Sequence, residues 1–319
     1  MHIGILREIQ GDDRVSLMPA HLQQLQKLGL TPLVEQDAGI NAFTNNEDYQ
    51  AQGAEVLSRQ SILDKAMLIT TINPLGNETI QSLKPASLYI STFFNKPDAQ
   101  MVMQLQEKNA TVMDLASIPR ISRAQMMDVL SSQANIAGYK SILLAAYHLP
   151  KFFPMLTTAA GSIPPAKVLV LVAGVAGLQA IATAKRLGAV VEAFDVRTAV
   201  KEEVESLGAK FIKVEESTDQ SDESGYAREQ AEDTQQKQRQ VIHEHAAKAD
   251  VVITSAQIPG KKAPLLLEKT TIEQMKPGSI VVDLAASTGG NCEVTEDNQL
   301  IEHHRVKIAG FSNLPATLP

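Results

Sequence analysis

The run Lys167-Val-Leu-Val-Leu-Val172-Ala-Gly174-Val175-Ala176-Gly177, continued through a small-residue segment to Gly188 and then Ala-Val-Val-Glu-Ala-Phe-Asp195-Val196-Arg197, admits few folds. An apolar β-branched stretch, a Gly-x-x-Gly turn, a helix-compatible segment and a second apolar stretch ending in a carboxylate follow the order of a dinucleotide-binding β-α-β unit. The strand leads into a tight turn, the glycines let backbone N–H groups approach a pyrophosphate, and the helix N-terminus favours its negative charge. The full fingerprint would open with glycine at position 172, where this chain has Val172. A branched Cβ disfavours positive φ, so the sequence predicts a strained or displaced turn and weaker nucleotide binding. Asp195 ends the second strand where an adenosine ribose would lie. Its charge favours the 2′-hydroxyl of NAD, while Arg197 leaves the 2′-phosphate of NADP open. A structural turn that binds nothing could be spelled the same way, so the reading rests on the strand-turn-helix context.

A chain of 319 residues exceeds one compact core and predicts about two domains. The expected architecture is α/β, two Rossmann-like parallel-sheet domains joined by a long helix, with boundaries at 1–130 and 131–319. Strands are expected at Ile3–Leu6, Leu33–Glu35, Met67–Thr71, Leu88–Ser91 and Thr111–Asp114, with helices at Pro19–Leu28, Asn46–Gln52, Ser58–Lys65 and Pro97–Lys108. After residue 166 the pattern resumes with strands at Val168–Val172, Val190–Phe194, Phe211–Val214, Asp250–Ser255, Ser279–Leu284 and Val306–Gly310, and helices at Ala176–Leu187 and Ala199–Leu207. Between the halves, Ser122–Tyr147 contains no proline and a single glycine. It reads as one helix of roughly 35–40 Å, capped by Ser122. On it Gln125, Asp128 and Ser131 recur every three residues and would share a surface that Arg120 could fold over. Amide, carboxylate, hydroxyl and guanidinium together suit ribose and carboxamide groups, and equally suit an exposed amphipathic face.

Several function classes are excluded. A formal charge of −7 without a Lys/Arg block argues against a nucleic-acid partner. The nearest approach to a membrane span, the seventeen residues Val168–Ala184, is broken by Gly174, Gly177 and Gln179 and falls short of the ~20 a spanning helix needs. The start of the chain does not read as a signal peptide. The single cysteine, Cys292, permits no disulfide within the chain and points to a reducing, cytosolic compartment. His243-Glu-His245 and His303-His304 lack a third ligand at a useful spacing, so no metal site is expected. Residues 215–239 form a polar insertion, either a mobile functional loop around Tyr226 or a solvated one.

Five runs then carry a resemblance: Pro-Arg-Ile-Ser-Arg-Ala-Gln at 119–125, Asn-Ile-Ala-Gly-Tyr at 135–139, Ala-Gly-Val-Ala-Gly-Leu-Gln-Ala at 173–180, Ile-Pro-Gly-Lys at 258–261 and Gly-Gly-Asn-Cys at 289–292. In this order over nearly the whole chain, they resemble the NAD(H)-binding component of proton-translocating NAD(P) transhydrogenase, a relative of alanine dehydrogenase. The resemblance implies a homodimer outside the membrane, peripheral on the cytoplasmic side of the inner membrane and without membrane insertion of its own. Such a component passes hydride from NADH to NADP⁺ on a separate NADP(H)-binding component, while a membrane component conducts protons. It further implies that NAD(H) contacts Gly174, Val175, Ala176, Gly177, Asp195, Val196, Arg197, Tyr226, Ala256 and Gln257. Arg120, Gln125, Asp128 and Ser131 would meet the nicotinamide end and the facing NADP(H). The chain departs from the family pattern at Val172, at Gln257, where an apolar residue is usual, and at Lys262, where proline is usual. Family chains also run on beyond the position of Pro319 with a segment that packs on the first domain. Two other readings stand beside this one: a non-catalytic or weak NAD-binding homologue, and an alanine dehydrogenase. Against the latter, Thr70–Pro74 and Ser91–Lys96 lack the expected Lys and His, although Arg14 is compatible.

Overall fold

The computed structural model describes residues 1–93, 98–213, 232–258 and 261–319. The chain separates into two compact units, Met1–Leu130 with Ala316–Pro319, and Ser131–Pro315.

In the first unit, strands β1 (His2–Ile5), β2 (Thr31–Glu35), β3 (Glu55–Leu57), β4 (Leu68–Thr70), β5 (Leu88–Ser91) and β6 (Thr111–Asp114) form a parallel sheet ordered β3-β2-β1-β4-β5-β6. The helices between them are α1 (Pro19–Lys27), α2 (Asn46–Ala51), α3 (Arg59–Lys65), α4 (Asn77–Gln81) and α5 (Ala99–Glu107). Their starts follow capping chemistry: Asn45 and Asp48 make a reciprocal capping box on α2, and Ser58 and Asp98 accept from the third residues of α3 and α5. Side chains alternate across a strand, so Ile5 and Val34 pack on Leu22 and Tyr49, while Leu6 and Leu33 pack on Ile62, Ile69 and Tyr89. Covering both faces is what a parallel sheet requires.

The segment expected to be one helix over Ser122–Tyr147 is not. Ser122–Met127 is a 3-10 turn, Asp128 breaks the geometry with ψ 83°, and α6 (Val129–His148) runs for 20 residues, about 30 Å. Ser122 is not the cap; the residue at the cap position is Ile121, without a side-chain bond. A three-residue recurrence fits a 3-10 turn as well as an α-helix, so spacing alone does not locate the start.

The second unit contains a small antiparallel hairpin, β7 (Leu156–Thr158) with β8 (Gly161–Ile163), and the larger sheet. That sheet is built from β9 (Lys167–Leu171), β10 (Val190–Phe194), β11 (Lys210–Ile212), β12 (Val251–Thr254), β13 (Ile280–Asp283), β14 (Leu300–His303) and β15 (Val306–Ala309). The order is β11-β10-β9-β12-β13-β15-β14, parallel except for the antiparallel edge strand β14. The helices are α7 (Val175–Arg186), α8 (Lys201–Ser206), α9 (Glu232–Ala246) and α10 (Lys269–Gln274). Val168 and Val170 face Ile142, Ala145 and Ile181, whereas Leu169 and Leu171 face Ile242 and Ile272. Each such side chain contributes about 1.5–3 kcal/mol when fully buried. Gly138 of α6 is a packing requirement, since a Cβ there would lie 2.1 Å from the carbonyl oxygen of Ala176. Chain direction reverses between β9 and β12, so the carboxyl ends of these strands bound the crevice where a doubly wound sheet takes its ligand.

Candidate functional site

The turn after β9 is held from several sides. Val172 donates its N–H to the Phe194 carbonyl at 2.8 Å, and its own carbonyl accepts from Ser255 Oγ at 3.1 Å. Ala173 N–H donates to Asp195 Oδ2 at 2.8 Å. Within these anchors Val172 has φ 76°, the left-handed region expected from the missing glycine and unfavourable for a branched side chain. Gly177 explains itself, because a Cβ there would stand 2.1 Å from the Val172 carbonyl oxygen. Gly174 does not: its φ is −77°, and a Cβ would meet nothing within 4 Å. Its bareness therefore serves something other than this chain's own packing. It caps α7, whose first-turn N–H groups, those of Val175, Ala176 and Gly177, project from the helix start toward the crevice.

Asp195 closes β10. Its carboxylate is 1% exposed and accepts from Ala173 N–H, Arg197 N–H, Arg197 Nε at 3.0 Å and an Arg197 terminal nitrogen at 2.8 Å. These hydrogen bonds raise the Arg197 pKa above its ordinary value against the opposing effect of burial. The Arg197 head is thus committed to Asp195 and turned away from a 2′-phosphate. Val196, between them, is half-buried.

The loops after β12 and β13 are tied by two buried polar residues that the sequence alone does not single out. Asp283 Oδ1 accepts from Thr254 Oγ1 and Ala285 N–H, and its Oδ2 from Asn291 N–H, Cys292 N–H and Thr295 Oγ1, all within 3.0 Å. Asn291, 0% exposed, exchanges hydrogen bonds with both backbone groups of Ala256 and donates to the Pro264 carbonyl. Gln257 donates to the Leu284 carbonyl at 2.8 Å. In the sequence Asp283 is visible only as the polar end of an apolar run, and Asn291 as a member of the Gly-Gly-Asn-Cys motif. Tyr226, Pro259 and Gly260 lie outside the described residues.

Of the other expected site residues, Arg120, Gln125 and Asp128 belong to the first unit and Ser131 to the second. Arg120 Nε lies 3.9 Å from Asp128 Oδ2, a loose ion pair; Gln125 is exposed on the 3-10 turn and Ser131 half-buried in the first turn of α6. Because Asp128 breaks the chain's helicity, these residues do not share the single helical face that their spacing suggested.

In the first unit a cavity of about 390 Å³ opens beside Arg7, Glu8, Asp12, Arg14 and Asp37. Arg14 is nearly buried and its guanidinium is engaged by Asp12 at 2.8 and 2.6 Å. Burial works against the Asp12 charge, but hydrogen bonds from Arg14 and Asn73 prevail and lower its pKa. Burial raises that of Glu8 despite bonds from Ile72, Asn73 N–H and Asn73 Nδ2. An arginine closed by its own aspartate cannot clamp a substrate carboxylate bidentately, which corrects the compatibility with amino-acid binding read from Arg14. His243 is engaged by Thr271 and Gln274, and His245 by Glu192. His303 and His304, expected to lack a third ligand, face Glu273. Burial pushes the Cys292 thiol up to about 11 and makes it unreactive.

A doubly wound sheet, a glycine left bare at a helix start and a carboxylate closing the adjacent strand define a dinucleotide-binding α/β protein. Comparison with known proteins narrows this. The model of the alanine dehydrogenase/PNT C-terminal domain matches residues 141–319 and that of the N-terminal domain residues 4–137. An NAD(P) transhydrogenase alpha subunit of Rhodospirillum rubrum is 42% identical over 328 residues, covering 99% of this chain and 85% of the relative. Alanine dehydrogenase of Staphylococcus haemolyticus is 29% identical, over 100% of this chain and 82% of its own. A solved transhydrogenase from Sinorhizobium meliloti superposes with a TM-score of 0.89 at 38% identity, over 99% of this chain and 88% of the other. The chain belongs to the alanine dehydrogenase/PNT family.

Proposed function

We propose that this chain is the NAD(H)-binding component of a proton-translocating NAD(P) transhydrogenase, an oxidoreductase component that hands hydride from NADH to NADP⁺ on a separate one. The observation that carries the reading is Gly174, bare at a helix start in open space, at the carboxyl end of the strand where chain direction reverses. When bound, NADH supplies the hydride from its dihydronicotinamide ring. The chain's own residues bind and orient. Gly174 and the first N–H groups of α7 receive the pyrophosphate. Asp195, Val196 and Arg197 shape the ribose end, with Arg197 held by Asp195 so that NAD(H) is preferred over NADP(H). Ala256 and Gln257, fixed by Asn291 and Leu284, border the adenosine side, and Tyr226 belongs to the segment that completes the pocket. To Arg120, Gln125, Asp128 and Ser131 we assign the nicotinamide end and the facing nucleotide, the role the family resemblance implies.

The partners in this reading are a second copy of the chain, an NADP(H)-binding component and a membrane component that conducts protons. We place the chain peripherally on the cytoplasmic side of the inner membrane. Among the described residues no helix is long and apolar enough to cross a membrane.

The test has two stages. NADH binding is measured on the chain alone, and Gly174→Ala is expected to keep the thermal midpoint while weakening NADH by about tenfold or more, since its methyl group stands where the pyrophosphate approaches. Hydride transfer to an NADP⁺ analogue is then measured with a relative's NADP(H)-binding component added. Alanine- or pyruvate-dependent turnover without that partner would overturn the proposal in favour of amino-acid oxidation.

A further inference from the structure

We propose that Glu273, His303 and His304 form a binding site for a divalent first-row transition cation, on the side of the second sheet away from the nucleotide turn. The three ligand atoms lie within 4.8 Å of one another. His303 Nε2 is 3.4 Å and His304 Nε2 3.8 Å from the same Glu273 oxygen. Those separations are long for N–H···O hydrogen bonds, which cluster near about 2.9 Å. They suit ligands sharing an ion: with bonds of about 2.0–2.1 Å to a tetrahedral centre, ligand atoms stand about 3.4 Å apart. Two imidazoles and one carboxylate are the donor set for Zn²⁺, Ni²⁺ or Cu²⁺ rather than for Mg²⁺ or Ca²⁺.

The backbone holds the two rings in place. His304 and Arg305 join β14 to β15 with φ 48° and 61°. Two consecutive left-handed residues make the tight hairpin turn that normally selects Asn-Gly, so two side-chain-bearing residues here are an unusual choice. The turn sets the neighbouring imidazoles 5.0 Å apart, centre to centre, at 45°. Glu273 arrives from α10, thirty residues earlier in the chain. β15 runs parallel to β13, so its start lies at the amino ends of the strands, whereas the Gly174 turn follows the carboxyl end of β9. The site is therefore distinct from the nucleotide crevice, and an ion there would clamp the edge hairpin to α10.

The test uses the full chain, free of any purification tag and stripped with chelator. Titration with Zn²⁺ by calorimetry, and with Co²⁺ by visible absorption, should show one saturable equivalent, tetrahedral Co²⁺ bands and a raised thermal midpoint. His304→Ala and Glu273→Gln, both at exposed positions, should each weaken the ion by at least about tenfold, as ligand-shell changes do. His21→Ala, on α1, should leave binding unchanged. Absence of saturable Zn²⁺ or Co²⁺ binding would overturn the proposal, and so would binding of unaltered strength in both ligand variants.

Discussion

Replacing Val172 with glycine tests the turn on which nucleotide binding depends. At φ 76° the valine occupies a conformation that costs an L-residue roughly 1–2 kcal/mol, and β-branching worsens it. Glycine removes that cost but frees the unfolded chain, which returns about 0.5–1 kcal/mol. Little burial is lost, because Val172 is half-exposed. The net gain is about 0.5–1 kcal/mol, a rise of roughly 1–4 °C in the midpoint for units of this size. If the valine methyl groups also hold the pyrophosphate off the turn, restoring one backbone N–H contact adds about 0.5–1.5 kcal/mol. That is roughly a two- to tenfold lower Kd for NADH. Circular dichroism reads the midpoint. NADH fluorescence reads the affinity cleanly, since the chain contains 0 tryptophans. Val172→Ala separates the contributions, for it shortens the side chain and keeps a Cβ at positive φ. A lower midpoint together with unchanged NADH affinity in Val172→Gly would refute the assignment of strain and crowding to this residue.

Gly177→Ala should cost about 1–3 kcal/mol in denaturant unfolding, because its Cβ would press on a carbonyl fixed by Ser255. Gln125→Asn should slow hydride transfer to the partner's NADP⁺ with little change in NADH affinity; a large loss of affinity would put this amide in the NAD pocket instead. Acid titration of stability should single out Asp250. Burial alone would raise its pKa, but Lys151, Lys167 N–H and Lys276 together hold it below the ordinary carboxylate value. A depressed folded pKa gives stability that is present above the unfolded value of about 3.9 and lost as pH falls through the folded one. The difference in midpoint between the parent and Asp250→Asn should therefore be wide at pH 7 and close below about pH 4.

The nucleotide turn is legible in the sequence down to one dihedral angle. Val172 is the residue whose type predicts strain, and it sits at positive φ, because a β-α-β turn is local and its geometry is dictated by a few consecutive residues. The parallel sheets are legible for the same reason: their buried strands are apolar runs. Three-residue strands and one-turn helices such as β3 and α4 are not, being too short to show a period. The break at Asp128 is hidden because helix-forming residues flank it on both sides, and nothing local marks it. Asp283, Asn291 and the Glu273 approach to His303 are illegible in principle, since each joins segments eight to thirty-five residues apart through tertiary packing.

The hydrogen bonds converging on Asp283 and Asn291 have a consequence on the time axis. Amides of Ala256, Ala285, Asn291 and Cys292, all buried and bonded to these two side chains, open only when the crevice floor comes apart as a unit. In hydrogen exchange they should belong with the slow central strands rather than with surface loops. The ordering entropy of that floor is then spent when the chain folds, and an arriving nucleotide meets loops that have nothing left to lose by being held still.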